Sequence, residues 1–187
     1  MAFPSEAGRT FNPNHTEVNP ARLERLADFI GPDYRNLIHQ FFAEKLNIAD
    51  VTIDIHGHDG SEGTYYVEEN VGRHKLYVAG MEPWQMTSAA HLHEWPDDLP
   101  IPQGMNEEEA KDVTEEYHHI KGRAVIILGE GKNATEVALD ENNPVVYVPP
   151  GTMHRVKTED SYAFYGIVMR NGALIPDAKL HKRPNKQ

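Results

Sequence analysis

Apolar positions along the chain change their period near residue 50. Before it they recur every three to four residues, at Leu23, Leu26, Phe29 and Ile30 and then at Leu37, Ile38, Phe41, Phe42 and Leu46. That spacing lays an apolar stripe along a helix. Asn19 before Pro20 supplies an N-cap with proline at the first helical position. Two helices are therefore expected in this region, the second over 33–46, packed by their stripes on the outside of a β-rich body. Beyond residue 50 the apolar residues fall in short runs rich in Val, Ile, Thr and Tyr, punctuated by Gly, Asn, Asp and Pro. These predict strands near 51–56, 63–69, 74–80, 84–91, 115–121, 123–128, 134–139, 144–148, 155–158 and 162–169. Many short strands with turn punctuation imply a closed or double-sheet β architecture. In the gap at 94–114, Asn106 and Glu109 form a capping box that predicts a short helix over 107–112.

Composition narrows the picture. The 187 residues are 39% apolar and 25% charged and contain no low-complexity tract, which suits one domain with a full core. Its expected parts are a helical extension at 1–48, a β-barrel at 50–170 and a C-terminal tail at 171–187, where Lys179, Lys182, Arg183 and Lys186 sit on a frayed end. The longest apolar runs, VIIL at 125–128 and VVYV at 145–148, are far below the roughly 18 residues of a membrane helix. No basic region followed by an apolar stretch opens the chain, and it has no cysteine, so a cytoplasmic location is expected, without disulfides or thiolate ligands. A net charge of −11 argues against a nucleic-acid backbone as partner, leaving a small-molecule substrate as the expected one.

Three segments carry the chemistry: HLH at 91–93, EEYHHIKG at 115–122 and PPGTMH at 149–154. Strand residues two apart share a face, so His91 and His93 point together, as do Glu115, Tyr117 and His119, with His118 opposite. A strand of β-branched and aromatic residues ending in a Pro-Gly turn would hold His154 at the mouth of a barrel. Imidazole and carboxylate together suit one divalent Fe, Mn, Ni, Co or Zn ion, and His91, His93, Glu115 and His154 would leave positions open for substrate or water. Asp97 competes with Glu115, since DDLPIPQG repeats the spacing from acid to glycine, but Pro100 and Pro102 remove two ladder donors from that segment. A second His-x-His, His56 and His58, runs into DGSEG and is better read as a strand end entering a turn. Trp84 and Trp95 are core or rim aromatics.

In the order His, His, Glu, His, these motifs resemble the cupin superfamily: HxH, then Glu115 ahead of Gly122, then Pro149, Gly151 and His154. The resemblance implies an all-β fold, the cupin double-stranded β-helix or jelly-roll barrel, here with N-terminal α-helices. Two departures are the long 94–114 insertion and Asn143, which stands where a glycine is usual and tolerates positive φ. Locally, Glu115-x-Tyr117 and the VVYVPP run leading to His154-Arg155 are similar to the cupin-type glucose-6-phosphate isomerases. That likeness implies aldose–ketose interconversion of a small polar oxygenated substrate, with Glu115 or His119 moving a proton and Tyr117 donating to substrate oxygens. The same ligand set serves Fe(II)-dependent cupin dioxygenases and non-catalytic ligand-binding cupins, and a homodimer is implied by resemblance alone. The insertion joins two ligand-bearing strands and is expected to form a lid or rim whose acids, among them Glu94, Asp97, Asp98 and Glu107 to Glu109, disfavour anionic substrates.

Overall fold

The structure, a computed structural model, describes residues 25, 28, 29, 31, 40, 41, 58–61, 64–87 and 90–180. Among the described residues nine strands form two antiparallel sheets, as the all-β reading expects. One sheet has the order β1 (His58–Ser61), β2 (Thr64–Val71), β3 (His74–Met81), β9 (Ala163–Met169), β4 (Glu115–Gly122), β7 (Val145–Val148). The other runs β6 (Thr135–Leu139), β5 (Ala124–Leu128), β8 (His154–Lys157). Alternation along the strands sends Tyr77, Ala79 and Met81, Tyr117, and Tyr165, Ile167 and Met169 into one apolar core with Ala124, Ile126, Leu139, Val146, Val148 and Val156.

The expected strand at 84–91 is absent as a regular element, and its backbone shows why. Trp84 is held at φ 61°, which breaks the extended run, and among the described residues the chain beyond it forms isolated bridges to β8 at Met86 and His91. Side chains complete the ladder: the Thr87 hydroxyl accepts from Val156 N–H at 2.9 Å, and the Thr158 hydroxyl accepts from Gln85 N–H at 3.0 Å. The irregular strand is thereby pinned along β8, with His91 N–H donating to the His154 carbonyl and His154 N–H returning the bond at 3.1 and 2.8 Å.

Three further differences from the sequence reading have physical causes. His58–Ser61, read as the entry to a turn, instead pairs with β2 as β1 through an irregular register. Positive φ among described non-glycine residues falls on Trp84 and Asn171, not on Asn143. Asn143 holds its turn instead through its side chain, which donates to the Ala138 carbonyl at 2.6 Å, while Asp140 caps its N–H at 3.1 Å. The segment read as a frayed tail is packed up to residue 180: a 3-10 turn at Gly172–Leu174 leads into the short helix α2 (Asp177–Leu180), with Ile175 and Leu180 buried in the core.

The insertion, expected to be a lid or rim, is anchored on the core. Its Trp95 is 5% exposed, Ala110 and Val113 are fully enclosed, and Leu99 and Met105 pack on the same cluster. Helix α1 (Glu107–Lys111) is capped as expected, Asn106 accepting from Glu109 N–H at 2.8 Å. On the outer face of the larger sheet, Phe41 is buried against Gly166, where a Cβ would meet its ring at 2.2 Å. Phe29 stacks on Tyr162 with centroids 5.1 Å apart. Arg25, Asp28, Phe29, Gln40 and Phe41 are helical, and the remainder of both expected helices lies outside the described residues, as do the expected strand at 51–56 and His56.

Candidate metal centre

The topology delivers the four candidate ligands from three places. Glu115 opens β4, His154 opens β8, and His91 and His93 come from the irregular strand hydrogen-bonded to β8. One ligand atom from each of His91, His93, Glu115 and His154 lies within 4.8 Å of the others. His93, Glu115 and His154 are buried and His91 is half-buried, so the group opens to solvent on the His91 side. Asp97 is exposed in a turn and stands outside the group.

Ring orientation decides what the group can do. His93 Nδ1 lies 2.9 Å from the Leu180 carbonyl and His154 Nδ1 lies 3.0 Å from the Thr152 carbonyl. A carbonyl oxygen only accepts, so each Nδ1 carries the proton and donates it. In the neutral ring Nε2 is then a bare lone pair, and both Nε2 atoms face the Glu115 carboxylate, at 3.5 Å for His93 and 2.6 Å for His154. Lone pairs aimed at a carboxylate repel unless a proton or a metal ion lies among them. This is the arrangement that outer-sphere carbonyls impose on metal-binding histidines, and the four residues fit one divalent ion.

The electrostatics point the same way. Burial is the largest influence on Glu115 and pushes its pKa up, yet His93 and His154 outweigh it and hold the carboxyl well below its usual range. Burial likewise pushes His154 down, and Glu115, with the hydrogen bond to Thr152, more than reverses it. Glu115 thus favours its ionised form and His154 a bound proton, the positive charge that a metal ion would replace.

The Tyr117 hydroxyl is buried and donates to Glu115 Oε2 at 3.1 Å, from the same face of β4. His119 is placed elsewhere: its Nε2 bonds the Gly122 carbonyl at 2.9 Å, beside the β4 irregularity between His119 and Lys121. His118 faces the opposite side, against Phe41 and Glu116, as its alternation requires. The register surrounds the centre with apolar neighbours, Glu115 lying opposite Val148 on one side and Met169 on the other, and His154 opposite Leu128. The Thr152 and Leu180 carbonyls that fix the imidazoles carry no sequence signal, because any residue presents a backbone carbonyl. Thr87 and Thr158, which pin the irregular strand, look in the sequence like any other polar positions.

Asp98, Glu107 and Glu109, three of the six acids named above, are in ion pairs, as is Asp112. Glu107 pairs with Lys111 and Glu109 with Arg73, each at 2.6 Å; Asp98 pairs with Lys179 at 2.5 Å and Asp112 with Arg170 at 3.1 Å. The expected repulsion of anionic substrates by this segment is correspondingly reduced.

The chain matches no protein-family model and none of the curated proteins. Solved structures similar to it include a DMSP lyase, at 16% identity over 65% of this chain and 53% of that one, with a TM-score of 0.44. Oxalate decarboxylase from Bacillus subtilis is similar at 17% identity over 67% of this chain and 29% of that one, with a TM-score of 0.46. A sugar phosphate isomerase of the cupin superfamily from Silicibacter pomeroyi is similar at 14% identity over 64% of this chain and 71% of that one, with a TM-score of 0.44. The likeness therefore spans about half of the lyase chain and under a third of the decarboxylase chain. Likenesses this distant say nothing of activity.

Proposed function

We propose that the protein is a cupin metalloenzyme that holds one divalent transition metal ion on His91, His93, Glu115 and His154 and isomerises a small polar oxygenated substrate, an aldose–ketose pair of the sugar or sugar-phosphate class. The observation that carries this reading is the convergence of two backbone-fixed Nε2 lone pairs on a carboxylate that also takes the Tyr117 hydroxyl bond. A divalent ion bound there supplies Lewis-acid polarisation of a carbonyl and its vicinal oxygen. The protein's own groups do the rest. Glu115, its Oε2 held by Tyr117, takes a proton from the carbon next to the carbonyl and returns it to the carbonyl carbon, while the hydroxyl proton passes from one substrate oxygen to the other. Tyr117 shares its hydroxyl between that carboxylate and a substrate oxygen. His119, held on the Gly122 carbonyl, keeps the end of β4 in place and is not assigned the proton.

Incubation in deuterium oxide, without oxygen, with protein loaded in turn with Mn, Ni, Co or Zn is expected to place solvent deuterium on the carbon beside the carbonyl. A second reading is favoured by one observation, the apolar ring of Val148, Met169 and Leu128 beside the ligands, since dioxygenase chemistry suits a water-poor pocket. Strict dependence of turnover on O2, with oxygen atoms in the product, would establish that reading and remove the isomerase.

A further inference from the structure

The two buried imidazoles are oriented by acceptors of very different origin. The acceptor for His154 Nδ1 is the Thr152 carbonyl, two residues away in the same turn. For His93 Nδ1 it is the Leu180 carbonyl, 87 residues further along the chain. The aim of His154 is thus set locally, whereas that of His93 holds only while a distant segment stays docked.

That segment is α2, and it is clamped on both sides. Lys75 is a buried lysine on the inner face of β3, a position that a charged amine occupies only with a partner. Its partner is Asp177, at 2.5 Å, on a side chain that is otherwise 85% exposed. The register puts Lys75, Met169 and Glu115 in one row across the larger sheet, so the clamp and the carboxylate ligand lie in the same layer of the barrel. On the other side, Lys179 reaches Asp98, five residues past His93 in the insertion. Between the two clamps Leu180 is 1% exposed, its side chain in the core and its carbonyl on His93.

We infer that α2 is a positioning element for the metal centre: the Lys75–Asp177 and Asp98–Lys179 pairs hold the Leu180 carbonyl on His93 Nδ1, and this fixes the tautomer and aim of that imidazole. The inference rests on the metal-centre reading for its consequence, since a histidine free to change tautomer presents a protonated Nε2 to the ion for part of the time. Losing such an outer acceptor lowers metal affinity by about 10–100-fold.

The test uses the full chain with zinc ion as probe. Asp177→Lys combined with Lys179→Glu sets like charges against Lys75 and Asp98. In the metal-free protein, long-range proton–nitrogen correlation of the imidazoles is expected to change His93 from a single Nδ1–H form to a mixture, with His154 unmoved. Zinc affinity is expected to fall about 10–100-fold while thermal unfolding stays cooperative. Lys179→Glu alone gives a smaller fall in the same direction, and the swap Asp98→Lys with Lys179→Asp restores affinity; this pair of variants decides the matter if the double reversal does not fold. An unchanged His93 tautomer and zinc affinity in folded variants would overturn the positioning role. If the wild-type protein takes up no zinc while His93 still changes tautomer, the positioning role stands and the metal-centre reading fails.

Discussion

The two faces of β4 carry nearly the same chemical groups and use them differently. Inward, Glu115 and Tyr117 meet three imidazoles; outward, one residue on in each case, Glu116 and His118 meet each other at 3.2 Å. The outer carboxylate is neutralised by a permanent cation, Arg170, at 2.6 Å, and the same guanidinium takes Asp112. These residues line a cleft with Arg73, His74, Glu109 and Asn171, where the pairs stitch the insertion to the sheet. The inner carboxylate has two imidazoles and a phenol instead. An acid beside a histidine is therefore not in itself a ligand site. The distinction lies in the second nitrogen of the His93 and His154 rings, which is committed to a backbone carbonyl and so turns the other nitrogen toward the acid.

The largest expected effect breaks the inner face. Replacing His91 and His93 together with Ala removes half the ligand atoms and should cost more than the roughly 100-fold that loss of an outer acceptor costs, abolishing stoichiometric metal. Elemental analysis of purified protein checks it, and a full equivalent of metal retained in the double variant would sink the assignment. On the outer face, Arg170→Met strands Glu116 and Asp112. Because the guanidinium is partly exposed, the expected loss is about 1 kcal/mol, seen as a fall of about 2–4 °C in Tm, with zinc affinity unchanged. A fall in affinity there would show that the two faces are coupled.

The smallest effect concerns pH. His74 lines the outer cleft, where burial first, and then Arg73 and Arg170, depress its pKa; its Nδ1 accepts from Asn171 N–H at 3.3 Å. The unfolded chain binds this proton more readily than the folded one, so the stabilisation is present above the unfolded value near 6.5 and is lost as pH falls through it and below. Denaturant unfolding across that range should show a shallower loss of stability in His74→Gln than in the wild type. Identical slopes would mean that His74 binds its proton equally well folded and unfolded.

Much of the fold and of the site was legible in the chain. Short runs of β-branched and aromatic residues between Gly, Asn, Asp and Pro located strands β2 to β9 to within two residues, because a sheet that packs on a core selects those side chains. The same-face rule brought Glu115 and Tyr117 together and sent His118 outward. What escaped was set by the backbone. Trp84 adopts a left-handed conformation that no composition rule assigns to tryptophan, and so the strand bearing His91 is irregular. The docking of α2 was invisible because four residues, Asp177 to Leu180, are too few to show a period, and their basic neighbours suggested a frayed end. The insertion's place beside the site followed from its joining two ligand-bearing strands, whereas its anchoring on the core through Trp95, Ala110 and Val113 did not show in its acidic sequence.

The acceptors behind His93 and His154 are carbonyls, whereas such outer partners are often carboxylates, and this sets the charge of the loaded centre. A carbonyl orients an imidazole without adding an anion, so Glu115 is the single negative group among the four ligands. A divalent ion in their midst keeps one net positive charge, in an interior where Coulomb forces are several-fold stronger than in water. Loaded with such an ion, the centre would be electron-poor and would suit a substrate that gathers negative charge on oxygen as it reacts.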